Sequence, residues 1–202
     1  MTMREWVMAT MTEWAKKEPF DEPLPWSRGK LFYRDRIALA ARKACESVAG
    51  DILEIGCYGG STSVRLAEVA RACGRRVLCI DNWPSGTSYM LREEAFPGFK
   101  KAVEPYKDVL DWADIDAHSP EGLALIRSRQ WAFVFVDDGH DYADVIAELR
   151  AAMPVTNGIL ACDDIFVPDE RKAMEDAVNE MPGWDLEFIP NTSEGWIIKK
   201  GI

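Results

Sequence analysis

The 202-residue sequence has the size of one α/β domain, and with 48% hydrophobic residues it can form a core without disulfides. Its formal net charge of −10 argues against a nucleic-acid partner, because a surface of that sign repels phosphate. The five cysteines are scattered without a C-x-x-C pair, which argues against disulfides and zinc and predicts a cytoplasmic location. No run approaches about 20 apolar residues, so no membrane partner is expected.

Two helices are predicted before the first strand, at residues 3–16 and 31–49. The stretch between them contains three prolines, which indicates an extended linker. We therefore divide the chain into an N-terminal helical cover or assembly segment, residues 1–30, and a domain at residues 31–202. The first helix is also the candidate surface for a homo-oligomer, because its apolar stripe is rich in tryptophan. This stripe comprises Trp6, Val7, Met11 and Trp14.

From Asp51 onward, strand-like apolar runs alternate with helical segments, which predicts an α/β fold. Such βα units form a parallel sheet with right-handed crossovers and with helices covering its faces. We expect the weaker run at 112–116 at the edge of the sheet and the last two runs in an antiparallel hairpin. The predicted strands are 51–55, 76–80, 112–116, 131–136, 158–162, 184–189 and 195–200. The predicted helices are 61–73, 119–129, 143–153 and 169–181, with a loop at 82–110.

A glycine-rich turn follows the first of these strands, in the run DILEIGCYGGSTS. Gly56, Gly59 and Gly60 precede a helix that begins at Ser61 or Thr62. Glycine permits a tight turn and lets a ligand approach the backbone at the carboxyl end of a strand, where open α/β sheets bind ligands. The run therefore predicts a nucleoside-binding turn, and the alternative is a glycine-rich connection without a ligand.

Glu54 helps to decide which nucleoside binds at this turn. A dinucleotide fingerprint has glycine at that position, and a carboxylate there would repel the pyrophosphate. A cationic sulfonium that carries an amino group tolerates the carboxylate, so Glu54 favours S-adenosylmethionine over NAD. Asp81 follows the second strand, where an acidic side chain accepts hydrogen bonds from a ribose diol, and it fits either nucleoside.

Acidic side chains follow two further predicted strands. Asp137 stands directly after one of them, and Asp163 and Asp164 stand directly after the next. Because the carboxyl ends of neighbouring parallel strands lie side by side, we expect these carboxylates to converge and to repel one another unless protons or a cation neutralise them. An all-oxygen set suits Mg²⁺, Mn²⁺ or Ca²⁺ better than zinc. The alternative is that they cap helices.

Two histidines are present, and they receive different predictions. His140 lies three residues after Asp137, beside the predicted metal site. An imidazole there is suited to accept a proton from a substrate hydroxyl near neutral pH, and the alternative is a loop histidine that caps backbone groups. His118 precedes Ser119 and Pro120 and is predicted to belong to a turn without a catalytic role.

Four runs together resemble a known family: EIGCYGGSTS, IDNW, VDDGHDYADV and NGILACDDI. They resemble the class I S-adenosylmethionine-dependent methyltransferases and, more narrowly, the metal-dependent O-methyltransferases related to macrocin O-methyltransferase and the cephalosporin hydroxylase-like group. The resemblance covers residues 50–166. It implies a Rossmann-like, doubly wound, mostly parallel seven-stranded sheet with a C-terminal antiparallel hairpin. It also implies methyl transfer from S-adenosylmethionine to a hydroxyl of a small molecule, such as a sugar or natural product.

The resemblance further implies roles for individual residues. A divalent metal, with Mg²⁺ as the expected ion, would bind to Asp137, Asp163 and Asp164, and His140 would act with Asp137 in catalysis. Asp138 stands where the family usually has glycine, which leaves open whether Asp137 or Asp138 faces the metal. The implied cofactor contacts are Glu54, Gly56, Tyr58, Gly59, Ser61, Thr62, Asp81, Asp116, Ala117 and Asp137.

The acceptor pocket has no diagnostic pattern, and Trp26, Trp83 and Tyr89 are predicted either to wall it or to pack elsewhere. Three other functions are compatible with the sequence. One is an NAD-dependent oxidoreductase, against which Glu54 argues. Another is a non-catalytic nucleoside-binding scaffold of the same fold, because a fold does not establish activity. The third is a metal-independent methyltransferase in which the acidic pair after the 158–162 run is structural.

Overall fold

The computed structural model describes residues 1–16, 26–83 and 92–202. Within these ranges the α-helices are α1 (Met3–Ala15), α2 (Trp26–Ser47), α3 (Ser61–Cys73), α4 (Arg92–Val103), α5 (Pro120–Ile126), α6 (Tyr142–Ala152) and α7 (Pro168–Glu180). The strands are β1 (Asp51–Ile55), β2 (Val77–Asp81), β3 (Leu110–Asp114), β4 (Trp131–Val136), β5 (Thr156–Cys162), β6 (Trp184–Phe188) and β7 (Gly195–Lys199). Every strand begins and ends within two residues of its predicted position.

The strands form one sheet in the order β3-β2-β1-β4-β5-β7-β6. Strands β1 to β5 run parallel to one another, whereas β7 runs antiparallel to both β5 and β6. The mostly parallel seven-stranded sheet, its C-terminal antiparallel hairpin and the edge position of β3 are therefore confirmed. Ile55 pairs with Val136, and Val136 pairs with Cys162, so β1, β4 and β5 end at the same level. The residues that follow these three strands therefore meet at one edge.

Helices cover both faces of the sheet, and successive strand residues enter opposite cores. Ile52 and Leu53 are both fully buried in β1. Ile52 lies in the core formed with α1 to α4, and Leu53 lies in the core formed with α5 to α7. Burial on both faces explains why the central strands are continuous apolar runs in the sequence.

Helix α1 packs into the same core as α2 and α3. Its buried residues are spaced four apart, as side chains on one face of a helix are. The predicted stripe is correct for Val7 and Met11, but Trp6 and Trp14 are only partly buried. The role of α1 in an oligomer stays a prediction. No helix in the described ranges is long and apolar enough to span a membrane. The buried residues of α1 are Met3, Val7, Met11 and Ala15.

The prediction of a loop at 82–110 is wrong for its second half, where the chain forms α4 and a short 3₁₀ turn at Glu104–Tyr106. Proline and glycine stand side by side within α4, and both disfavour a helix interior. Burial overrides this local preference, because Ala95, Phe99 and Val103 are spaced four apart and lie in the core. Helix α4 therefore flanks the region that follows β2.

Candidate active site

The glycine turn, residues 56–60, connects β1 to α3 and lies against the end of β4. The N–H of Asp137 donates to the carbonyl of Ile55 over 2.8 Å. Gly56 has a φ of 81°, and a Cβ at this position would overlap the backbone of Asp137. Only glycine fits both the left-handed conformation and the close approach. The turn therefore packs against the end of β4, and the predicted catalytic residues directly follow this strand.

The other turn residues that were predicted to contact the cofactor differ in accessibility. Tyr58 is 38% exposed and Ser61 is exposed, whereas Thr62 is buried. A Cβ at Gly59 would have no atom of the described residues within 4 Å, so packing does not require glycine there. Contacts between these residues and the cofactor stay predictions.

Asp81 ends β2 and binds the backbone of the glycine turn. Its Oδ2 accepts hydrogen bonds from the N–H groups of Cys57 and Tyr58, both over 2.8 Å. Its Oδ1 accepts from the N–H of Trp83 over 2.5 Å. Because each carboxylate oxygen is already engaged, a ribose diol would have to share an oxygen with these donors or displace them. Asp81 lies at the end of β2, as the sequence predicted. The structure adds that its hydrogen bonds stabilise the conformation of the glycine turn.

Glu54 is fully buried beneath the start of α3. Cys79 donates from its thiol to Oε2 over 3.3 Å, while Oε1 has no hydrogen-bond partner among the described residues. Burial raises the pKa of Glu54 to about 7, although Ser63 and Cys79 oppose this shift. The carboxyl therefore offers a buried acceptor at the glycine turn, which is the position that the sequence predicted for a cofactor contact.

Asp137, Asp163 and Asp164 converge at the level ends of β4 and β5. One ligand oxygen from each lies within 4.8 Å of the others. Removal from water and the charges of Asp163 and Asp164 raise the pKa of Asp137 well above its ordinary value. Oδ1 of Asp163 is buried without a hydrogen-bond partner in the described part of the chain. Three crowded carboxylates with an unpaired buried oxygen fit a hard divalent cation such as Mg²⁺.

The structure also decides between Asp137 and Asp138. Asp138 lies with His118 and Glu148 instead, with one ligand atom of each within 4.8 Å of the others. Burial, followed by the charge of Asp81, raises the pKa of Asp138 to about 6. Asp137, not Asp138, therefore faces Asp163, and a second polar cluster forms beside it.

His118 belongs to this second cluster and connects the loop after β3 with helix α6. Its Nε2 lies 3.0 Å from Oε1 of the fully buried Glu148, and its Nδ1 lies 3.2 Å from Asp116. Interaction with Glu148 raises the pKa of His118 to about 9. Burial raises the pKa of Glu148 to about 7. His118 thus makes structural contacts away from the acidic residues of the predicted metal site.

This pair makes stability depend on pH. The raised pKa of His118 contributes stability that is complete below its ordinary pKa and is lost as pH rises through about 9. We expect the free energy of unfolding to fall by roughly 2 kcal/mol between about pH 7 and about pH 10, as urea titrations would measure. Glu148→Gln should flatten this decline, whereas Glu121→Gln, at an exposed site on α5, should not. An unchanged decline in Glu148→Gln would contradict the assignment.

His140 is paired with a residue that sequence reasoning missed. Its Nδ1 lies 2.6 Å from Oε1 of Glu170, in the first turn of α7, and 3.8 Å from Oδ2 of Asp164. Partial burial lowers the pKa of His140, but the hydrogen bond to Glu170 and the nearby acidic charges outweigh this effect and raise it. Burial raises the pKa of Glu170 to about 7. Glu170 could not be singled out from the sequence, because acidic residues are common in the first turn of a helix.

The remaining predicted residues lie apart from the acidic centre. Asp116 accepts a hydrogen bond from the N–H of His118 over 2.9 Å, and Ala117 is fully buried in the core with α5 to α7. Their contacts with adenine stay predictions. Trp83 is 2% exposed, so it packs inside the protein and does not wall an open pocket. Tyr89 and the side chain of Trp26 lie outside the described residues.

Comparison with known proteins gives the chain a family. The model of a methyltransferase domain matches residues 53–165, more than half of the chain. No curated protein matches the sequence. The calicheamicin methyltransferase CalS11 has a similar structure, with a TM-score of 0.64 and 18% sequence identity over 96% of this chain and 93% of that chain. The SAH-bound methyltransferase PaMTH1 of Podospora anserina has a TM-score of 0.61 and 16% identity over 96% of this chain and 87% of that chain. The O-methyltransferase NovP has a TM-score of 0.59 and 13% identity over 98% of this chain and 99% of that chain.

At these identities the structural matches show the fold alone, so the family rests on the sequence match. That match includes the glycine turn, Asp81, the end of β4 and the acidic pair after β5. These are the runs that carried the resemblance in the sequence. An NAD-dependent oxidoreductase and a non-catalytic scaffold are set aside accordingly. The chain belongs to the methyltransferase-domain family and is an S-adenosylmethionine-dependent methyltransferase of class I.

Proposed function

We propose that this enzyme methylates a hydroxyl group of a small molecule with the help of a divalent cation, most simply Mg²⁺. The observation that carries the proposal is the convergence of Asp137, Asp163 and Asp164 beside the paired His140 and Glu170. These residues give one edge of the sheet a set of hard oxygen ligands and a proton acceptor. Two structures of similar fold support the choice of oxygen, since CalS11 is described as a TDP-rhamnose 3'-O-methyltransferase and NovP as an O-methyltransferase.

The three aspartates would hold the cation. Their mutual repulsion is relieved by a positive charge, and the unpaired Oδ1 of Asp163 gains a partner. When bound, a divalent cation supplies positive charge that favours ionisation of an acceptor hydroxyl. The three carboxylates would therefore place the cation at the carboxyl ends of β4 and β5.

His140 removes the proton from the acceptor. Glu170 lies at Nδ1 and favours the tautomer of the neutral imidazole in which Nδ1 carries the proton and Nε2 carries the lone pair that acts as the base. The His140 side chain is 57% exposed and therefore accessible to an acceptor. The deprotonated oxygen then bonds to the methyl carbon as the carbon–sulfur bond breaks, and S-adenosylhomocysteine leaves with the electron pair. Holding the two reactants in line supplies much of the rate in such transfers.

The proposal is tested by following formation of S-adenosylhomocysteine from S-adenosylmethionine with a panel of hydroxyl compounds, including nucleotide sugars and catechols, and with amines and thiols for comparison. We expect transfer to at least one compound with Mg²⁺ and a loss of transfer with EDTA that added Mg²⁺ restores. Transfer that EDTA does not change would favour the metal-independent methyltransferase. Transfer only to amines or thiols would refute the choice of oxygen as acceptor.

Variants in the same assay test the proton acceptor. His140→Asn should slow transfer by about 100-fold or more, the usual contribution of a positioned general base. Glu170→Gln should slow it by about tenfold, because a carboxamide orients the imidazole less strongly. Glu175→Gln is the matched control, because this residue lies exposed on the same helix. Equal rates for Glu170→Gln and Glu175→Gln would contradict the role given to Glu170.

A further inference from the structure

Tyr58 holds an unfavourable backbone conformation in the middle of the glycine turn. Its φ is 46°, in the left-handed region, where a Cβ crowds the neighbouring carbonyl oxygen. For a residue other than glycine this costs about 1–2 kcal/mol. Because this backbone conformation is locally unfavourable, contacts with the surrounding structure must stabilise it.

Two groups from the end of β2 bind the two sides of Tyr58. Oδ2 of Asp81 accepts a hydrogen bond from its N–H over 2.8 Å. The indole Nε1–H of Trp83 donates to its carbonyl oxygen over 2.7 Å. The N–H of Trp83 also donates to Oδ1 of Asp81 over 2.5 Å, which ties the two groups to each other. Together they fix both peptide planes that flank Tyr58.

Helix α4 in turn holds the Trp83 indole in place. The ring centroid of Trp83 lies 4.5 Å from that of Phe96 and 4.7 Å from that of Phe99. Phe99 reaches the turn as well, since a Cβ at Gly60 would lie 3.0 Å from its Cδ2. The indole therefore packs between α4 and the turn, and this packing directs its N–H toward the Tyr58 carbonyl oxygen.

We propose that Trp83 is a positioning residue of the cofactor site, which acts through the Tyr58 carbonyl to keep the glycine turn in the conformation that receives S-adenosylmethionine. Helix α4 takes part by holding the indole. The inference rests on the cofactor role of the glycine turn, and it goes beyond that role because Trp83 itself need not contact the cofactor. It also gives a function to the tryptophan of the run IDNW, which packs inside the protein.

Calorimetric titration with S-adenosylhomocysteine tests the inference. Trp83→Phe keeps an aromatic ring but removes the N–H, and replacement of Trp83 by benzothienylalanine removes the N–H from a side chain of nearly the same shape. We expect both variants to raise the Kd by about tenfold, the usual effect of losing one hydrogen bond to a partly buried carbonyl. The amide of Gly59, in the same peptide unit as the Tyr58 carbonyl, should exchange faster with solvent in both variants.

Trp112→Phe is the matched control, because Trp112 faces the same rings edge-on, 6.2 Å from Trp83. It should leave the Kd unchanged. A purely structural role would lower the melting temperature of the benzothienylalanine variant and leave its Kd at the wild-type value, and this result would overturn the inference alone. Failure of the wild type to bind S-adenosylhomocysteine would overturn both the inference and the cofactor role of the turn.

Discussion

Asp163→Asn is expected to weaken binding of Mg²⁺ by at least about 100-fold, because it removes one of three carboxylates from an all-oxygen site. The substitution keeps the size of the side chain, so the ends of β4 and β5 should keep their positions. Calorimetric titration with Mg²⁺ measures the effect. Asp169→Asn is the matched control, since this aspartate lies exposed in the first turn of α7. Equal Mg²⁺ affinity in the two variants would refute the metal site.

The same substitution has a second expected effect when Mg²⁺ is absent. Burial and the charge of Asp163 raise the pKa of Asp137 well above its ordinary value. Ionisation of Asp137 therefore costs stability, and the cost grows as pH rises above the ordinary pKa of an aspartate. Asp163→Asn removes a like charge, so it should raise the urea midpoint near neutral pH. An unchanged midpoint would mean that the carboxylates do not repel one another.

Gly56→Ala is expected to produce the largest loss of stability of any single methyl addition in the glycine turn. The added Cβ would overlap the Asp137 backbone, and the φ of 81° is unfavourable for alanine. Relief requires β1 and β4 to move apart, which we expect to cost about 3–5 kcal/mol and to abolish binding of S-adenosylmethionine. Urea denaturation and calorimetric titration measure the two effects.

Gly98→Ala provides the control for Gly56→Ala. A Cβ at Gly98 would have no described atom within 4 Å, and the residue lies inside α4. Because alanine favours a helix interior over glycine by about 0.5–1 kcal/mol, this variant should be slightly more stable than the wild type. A Gly56→Ala variant as stable as Gly98→Ala would show that the backbones at the ends of β1 and β4 are not packed as the structure describes.

The sequence by itself determined the sheet and its site-bearing edge. Strands buried on both faces are continuous apolar runs, so the positions of β1, β4 and β5 follow from the sequence alone. In a parallel sheet the chain leaves adjacent strands at the same edge, so Asp137 was predicted to meet Asp163 and Asp164 once the two strands that precede them were taken as parallel and adjacent. The glycine turn was predicted for the same reason, because its residues follow a strand directly.

Only the tertiary structure decided which side chains face one another. Asp137 and Asp138 are neighbours in the chain, and nothing local indicates that one faces the acidic pair while the other faces His118. Glu170 is 30 residues from His140 and meets it only because α7 packs against α6, which follows the loop of His140. Helix α4 was not predicted, because its adjacent proline and glycine disfavour a helix interior. The hydrogen bond from Trp83 to the glycine turn depends on that helix. Local sequence determines where strands end, whereas contacts between distant segments depend on how the helices pack on the sheet.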